Sequence, residues 1–243
     1  MAWRCCRCWK DGRKRWPIRS GWFWGQPEWE RYQQAYYAGR ERPEEYKSSP
    51  LDPDGHDFNY PAGEKLWKTE THLTQVIDLR LHQWSDVRES YHSIIHRAND
   101  QYGINHHQDW PNAFARFVDV HRAKFGACRS NETFNVQYDW WKNGSALVVC
   151  AWEGYIEIAR VVAAAFWIVY NGCAYYASGP SLEKNVQHAV ILESLVQLKA
   201  RGITLVEMGQ TDGATEKERN IAKFKRGFGG SERPYMVIRR CAL

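Results

Sequence analysis

Residues 171–209 read NGCAYYASGPSLEKNVQHAVILESLVQLKARGITLVEMG, and the fold turns on this stretch. Asn171-Gly172 is the strongest short hairpin signal in the chain, because both residues tolerate the positive φ of a tight two-residue turn. The apolar run before it, Arg160–Tyr170, and the run after it, Cys173–Ser178, are therefore expected as an antiparallel pair. Gly179-Pro180-Ser181 is read as opening a long helix, Leu182–Ala200, apolar at Val186, Ala189, Val190, Leu192, Val196 and Leu198 and stopped by Arg201-Gly202. Ile203–Met208 follows as a buried strand. A crossover containing a helix of this length joins parallel neighbours, so Cys173–Ser178 and Ile203–Met208 are predicted to lie side by side and parallel.

The flanking sequence extends the pattern in both directions. Upstream, Ala146–Trp152 reads as a strand. Two helices precede it: one from Pro111 through Phe114, Phe117, Val118 and His121 to Gly126, and one capped by Asn131 that contains Phe134, Val136, Tyr138 and Trp141. Earlier still, Gln75–Leu79 reads as a short strand and Ser85–Asn99 as a helix, with Val87, Tyr91, Ile94, Ile95 and Ala98 along one face. Downstream come a helix over Glu216–Lys225 and a last strand over Tyr235–Arg239. From Pro111 the order is α-α-β-β-β-α-β-α-β. This is an α/β (α+β) chain built on a mixed sheet flanked by helices.

Residues 1–74 differ in kind. Met1 to Trp24 is dense in Arg, Lys, Trp and Cys without a period, and residues 41–61 are rich in Pro, Gly, Asp and Ser. Between them a helix is read over Pro27–Tyr37 from the spacing of Trp29, Tyr32 and Tyr36. The expected division is an irregular basic and aromatic region over 1–74 and a folded domain over 75–243.

Composition bounds the function class. The 243 residues can bury a sizeable core. Lys and Arg number 33 against 28 Asp and Glu, a mild excess that favours anionic small molecules or RNA as partners. The excess is concentrated: Lys217 to Arg240 holds eight basic residues against two acidic ones, a local net of +6. The longest apolar run, Val161 to Tyr170, is well short of the roughly 20 residues a membrane helix needs. Seven cysteines, odd in number and mostly scattered, suit a reducing compartment, so a cytoplasmic protein is expected.

Three stretches carry a family resemblance. Ala174-Tyr175-Tyr176-Ala177-Ser178-Gly179, Val206-Glu207-Met208-Gly209 and Phe224-Lys225-Arg226-Gly227-Phe228-Gly229-Gly230 resemble the C-terminal signature of the Fem family of nonribosomal peptidyltransferases. An upstream echo is Ser90 to Ala98. The resemblance covers about Gln75 to Arg240. It implies a GNAT-like mixed sheet with a reduced N-terminal half, since full members carry two GNAT-like halves. It also implies acyl transfer to an amine, with an aminoacyl-tRNA or acyl-CoA donor. The acceptor would be an amine-bearing nucleotide-sugar or lipid-linked precursor of cell wall or surface polysaccharide, which allows peripheral membrane association. An ordinary acetyl-CoA-dependent N-acetyltransferase and a non-catalytic binding protein of the same fold are the alternatives.

Acyl transfer needs a neutral amine, a proton acceptor and stabilisation of the tetrahedral oxyanion. In a GNAT layout the acyl group lies where Cys173–Ser178 splays from Ile203–Met208, so Tyr176, Ser178 and Gly179 are expected to line it. Lys225 matches the family's motif lysine and is the first candidate to stabilise negative charge; a surface lysine on a helix end is the bland alternative. Arg226 and Gly229 are expected as supporting contacts. Glu207 and Asp212 flank the end of the parallel strand, where a base is needed. His188, near the start of the long helix, is placed to reach the same gap or to serve the core. Ser178-Gly179-Pro180-Ser181-Leu182 stands where acetyl-CoA enzymes carry an Arg/Gln-x-x-Gly-x-Gly/Ala phosphate cradle, and Pro180 removes one N–H donor from it.

Metal signals are poor. His92 and His96 have the spacing of a zinc pair, but Ser93 stands where the zincin pattern needs Glu. Cys5, Cys6 and Cys8 offer half a zinc knuckle with no second pair. Trp3, Trp9 and Trp16 among arginines are a weak nucleic-acid signal. No metal is expected.

Overall fold

A computed structural model describes residues 45–47, 67–105, 112–154 and 160–240. The helix expected over Pro27–Tyr37, the Cys5, Cys6 and Cys8 cluster and the N-terminal tryptophans lie outside these residues.

Eight strands form one sheet among the described residues: β1 Glu45–Lys47, β2 Trp67–Asp78, β3 Gly103–Asn105, β4 Ala146–Glu153, β5 Arg160–Tyr170, β6 Cys173–Ser178, β7 Leu205–Gln210 and β8 Ser231–Arg240. Their spatial order is β1-β8-β2-β7-β6-β5-β4-β3. Every adjacent pair is antiparallel except β6 and β7, which are parallel as the crossover rule requires. The helices are α1 Glu89–Gln101, α2 Ala113–Phe125, α3 Asn131–Lys142, α4 Val186–Ala200 and α5 Glu216–Arg226.

The central strands are apolar on both faces because helices cover both. Leu147, Val149, Ala163, Ala165, Trp167, Val206 and Met208 pack with α1 and α4. The alternate residues Val148, Cys150, Ala164, Phe166 and Tyr175 pack with α2 and α3, where Phe117 stacks on Phe166 at 5.2 Å. The run Ala163-Ala164-Ala165 lets helices close on both sides of β5.

Two turns fix the crossover. Asn171 and Gly172 have φ of 45° and 74°, the paired positive values of a type I′ hairpin. At the end of α4, Ile203 N–H donates to Leu198 O and Gly202 N–H to Lys199 O, a Schellman closure that needs the positive φ of Gly202.

Several boundaries differ from the sequence reading. The long helix starts at Val186, not Leu182, with Asn185 in the left-handed region before it. Pro180 O instead accepts from Ala164 N–H, and Leu182 N–H donates to Val162 O, so the segment after β6 continues along β5. These tertiary hydrogen bonds outweigh the apolar periodicity. The strand read at Gln75–Leu79 is the end of a much longer β2, and the strand read at Tyr235–Arg239 is part of a longer β8 paired with it. Ser85–Asn99 divides into a 3₁₀ turn at Trp84–Asp86 and α1. Ser130, not Asn131, caps α3, its hydroxyl accepting from Thr133 N–H. The parallel strand runs Leu205–Gln210 rather than Ile203–Met208.

Candidate functional site

The parallel pair is short by design of the chain on either side of it. β6 and β7 pair only through Cys173, Ala174 and Tyr175 against Leu205, Val206 and Glu207. Beyond Tyr175 each strand follows its other neighbour. β6 carries a bulge at Ala177 against β5, and β7 carries one at Met208 against β2. Bulges bend a strand and end regular pairing. Because residues 180–182 stay with β5, the C-terminal halves of β6 and β7 open into a V.

The β7 rim of this opening is polar and buried. Glu207 is 4% exposed and accepts from the Thr74 hydroxyl of β2 at 3.0 Å. Lys225, in the last turn of α5, is 6% exposed, so it is not a surface lysine. Its Nζ donates to Gln210 O at 3.3 Å. Burial pushes the ammonium down to about 8, with the Glu207 carboxylate pulling the other way. Glu207 is likewise inside the protein and does not face solvent.

Just past β7, Thr211 N–H donates to Leu73 O at 2.8 Å, which brings Asp212 beside His72. His72 Nδ1 lies 3.0 Å from Asp212 Oδ2, and its Nε2 lies 3.5 Å from Glu70 Oε2. Burial pushes Asp212 up, but hydrogen bonds from Gln210 and His72 outweigh it and hold the carboxyl below its ordinary range. Arg226 donates to Thr211 O at 3.0 Å and to Glu232 Oε1 at 2.6 Å, which ties α5 to β8 and to the strand end. Gly229 O accepts from the Gln75 amide, and its φ of 83° turns the chain into β8.

The β6 rim holds Tyr176, Ser178 and Gly179. Gln187, in the first turn of α4, donates to Ala164 O and to the Tyr176 hydroxyl, both at 3.2 Å. Burial raises the phenol above its usual range. Gly179 has no room for a Cβ, which would stand 1.6 Å from the Tyr176 oxygen.

Lys225, Glu207 and Asp212 are thus brought to one strand end, with Arg226 and Gly229 next to them. His188 is elsewhere: it stacks edge-on against Tyr91 at 4.3 Å and Phe224 at 4.9 Å, and its Nδ1 donates to Asn185 O. Burial lowers its pKa. His92 stacks on Trp84 at 4.1 Å and donates from Nε2 to Val87 O. The sequence reading missed His72, Thr74 and Gln187. His72 and Thr74 flank Leu73 on β2, but nothing in the sequence marks which strand would pair with them.

By sequence the chain matches no family model and no curated protein. Among solved structures it is similar to FemX, at TM-score 0.54 and 9% identity over 68% of this chain and 61% of FemX. It is similar to L-PGS from Bacillus licheniformis at TM-score 0.52 and 13% identity, over 72% of this chain and 62% of that one. The C-terminal domain of a putative lysylphosphatidylglycerol synthetase from Agrobacterium fabrum matches at TM-score 0.50 and 10% identity, over 71% and 61%. The chain spans about three fifths of the length of these structures. At such identities the likeness is one of fold. The chain has a mixed sheet flanked by helices, the fold it shares with these structures.

Proposed function

We propose that this chain is a Fem-type acyltransferase, which moves an aminoacyl or acyl group from an anionic donor to an amine. The observation that carries the reading is the buried Lys225 ammonium at the mouth of the β6/β7 opening. A desolvated cation is worth most where negative charge develops in a transition state. In this reading the acyl group lies between the rims. Lys225 stabilises the oxyanion or a donor phosphate, and Glu207 holds the Lys225 charge in place. Tyr176, Ser178 and Gly179 line the acyl group, while Arg226 and Gly229 fix the turn that carries the lysine. His188 supports α5 through Phe224. Asp212 marks the side on which the amine loses its proton.

Aminoacyl-tRNA is the donor the loop chemistry favours. Pro180 lacks an N–H, and that of Leu182 is spent on Val162 O, so a pyrophosphate cradle of the acetyl-CoA type would lack two donors. The acceptor class is an amine on a cell-wall, surface-polysaccharide or lipid-linked precursor, in keeping with the names of the similar structures. No helix among the described residues is long and apolar enough to cross a membrane, and we place the enzyme in the cytoplasm.

The test is label transfer. The full chain is offered charged tRNA with a labelled aminoacyl group, or labelled acetyl-CoA, together with amine-bearing acceptors. Amide formation from charged tRNA is expected. Transfer from acetyl-CoA alone would favour the ordinary N-acetyltransferase, and transfer from neither donor would overturn the reading.

A further inference from the structure

Past the end of β7, on its β2 side, stands a histidine whose protonation pattern is set by its neighbours. Among the described residues, the groups facing the His72 ring include Glu70 from β2, Gln210 and Asp212 at the end of β7, and Tyr235 from β8, whose ring centroid is 5.8 Å away. A lone pair on Nδ1 would meet the Asp212 carboxylate at 3.0 Å and be repelled, so Nδ1 carries a proton and donates it to Asp212. Gln210 Nε2, 3.1 Å from the same nitrogen, then serves as a second donor to Asp212. The lone pair is left on Nε2. The His72 side chain is 21% exposed, so an amine can reach Nε2.

This arrangement connects to the candidate oxyanion stabiliser through one residue. Gln210 accepts from Lys225 through its backbone carbonyl, and its side chain meets His72 and Asp212. A cation for the developing oxyanion and a lone pair for the amine proton therefore stand on either side of the same strand end. Acyl transfer needs these two groups together.

We propose that His72 is the general base of the reaction, with Asp212 as its positioning residue. The proposal rests on the acyl-transfer reading above. His72 Nε2 takes one proton from the acceptor's ammonium, and the nitrogen lone pair this frees forms the bond to the acyl carbon. The carbonyl π pair moves to oxygen beside Lys225. On collapse that pair reforms the carbonyl, the bond to the donor's leaving atom breaks, and the leaving group departs with the proton released by the imidazolium. The nitrogen's second proton passes to solvent, so the products are one amide, one protonated leaving group and one released proton.

The test compares two acceptors with the full chain: an alkyl amine, protonated at neutral pH, and hydroxylamine, already uncharged there. With the alkyl amine, His72→Gln should lower turnover by about 10²-fold or more, the range of a lost general base. With hydroxylamine the loss should be much smaller, because there is no ammonium proton to remove. Asp212→Asn should show the same acceptor-selective loss, and it keeps the test open if His72→Gln fails to fold. Equal loss with both acceptors would reduce His72 to a structural role, and unchanged turnover in a folded variant would remove it from the reaction. Both outcomes overturn the assignment alone. A wild-type chain that acylates neither acceptor overturns the acyl-transfer reading and this proposal with it.

Discussion

Lys225 keeps an ammonium where burial penalises charge, and the penalty has a measurable consequence. Its pKa is about 8 in the folded chain against 10.5 ordinarily. Between those values the unfolded chain binds more protons than the folded one, so this residue's contribution to stability rises with pH across about 8 to 10.5. The rise is on the order of 3 kcal/mol. Lys225→Met, which keeps the stem and removes the charge, should flatten that part of a stability–pH curve measured by urea denaturation. A parallel curve for the variant would mean that the ammonium is not desolvated. Gly230 is the second residue whose environment decides its identity. Its φ is 86°, and a Cβ would stand 2.3 Å from Val76 O, a backbone atom that cannot rotate away. Gly230→Ala should cost about 3 kcal/mol or more, read as a fall in denaturation midpoint. A midpoint within experimental error of wild type would show that the β8 entry adjusts.

At the scale of elements, the proposed choice of donor rests on the segment between β6 and α4. Residues 180–182 hydrogen-bond to β5, and α4 begins only at Val186. Calorimetric titration with acetyl-CoA should therefore show no micromolar binding, and micromolar affinity would mean that the segment rearranges into a phosphate cradle. The same segment shows where sequence runs short. The hairpin, the length of α4 and the parallel β6/β7 pair were legible because Asn171-Gly172, the apolar spacing and Arg201-Gly202 are local signals. The start of α4 was not, since nothing local says that Pro180 and Leu182 will bond to Ala164 and Val162. Motif and position marked Lys225, Glu207 and Asp212 as candidates, but not that Lys225 and Glu207 are buried. Thr74 meets Glu207 only through the β2–β7 register, and His72 meets Asp212 just past its end, across some 130 to 140 residues of chain.

At the scale of the molecule, helices cover both faces of the central strands, and β6 and β7 part beyond Tyr175. The second layer has its own weak point. His121, packed between Phe117, Phe125 and Phe134, is pushed down to about 3 by burial and by the Arg129 and Arg122 guanidiniums. The unfolded chain protonates this residue near 6.5, so stability should fall as pH drops from about 6.5 toward 3. His121→Leu should be less acid-sensitive than wild type when thermal unfolding is followed over that range; equal sensitivity would place the acid-labile group elsewhere. The central claim, that group transfer occurs at the β6/β7 opening against the Lys225 ammonium, is tested most directly by one rate. Turnover of labelled aminoacyl group from charged tRNA to an amine is measured for wild type and for a folded Lys225→Ala variant. The account predicts a loss of about 10²-fold or more. Undiminished turnover in the variant would contradict it.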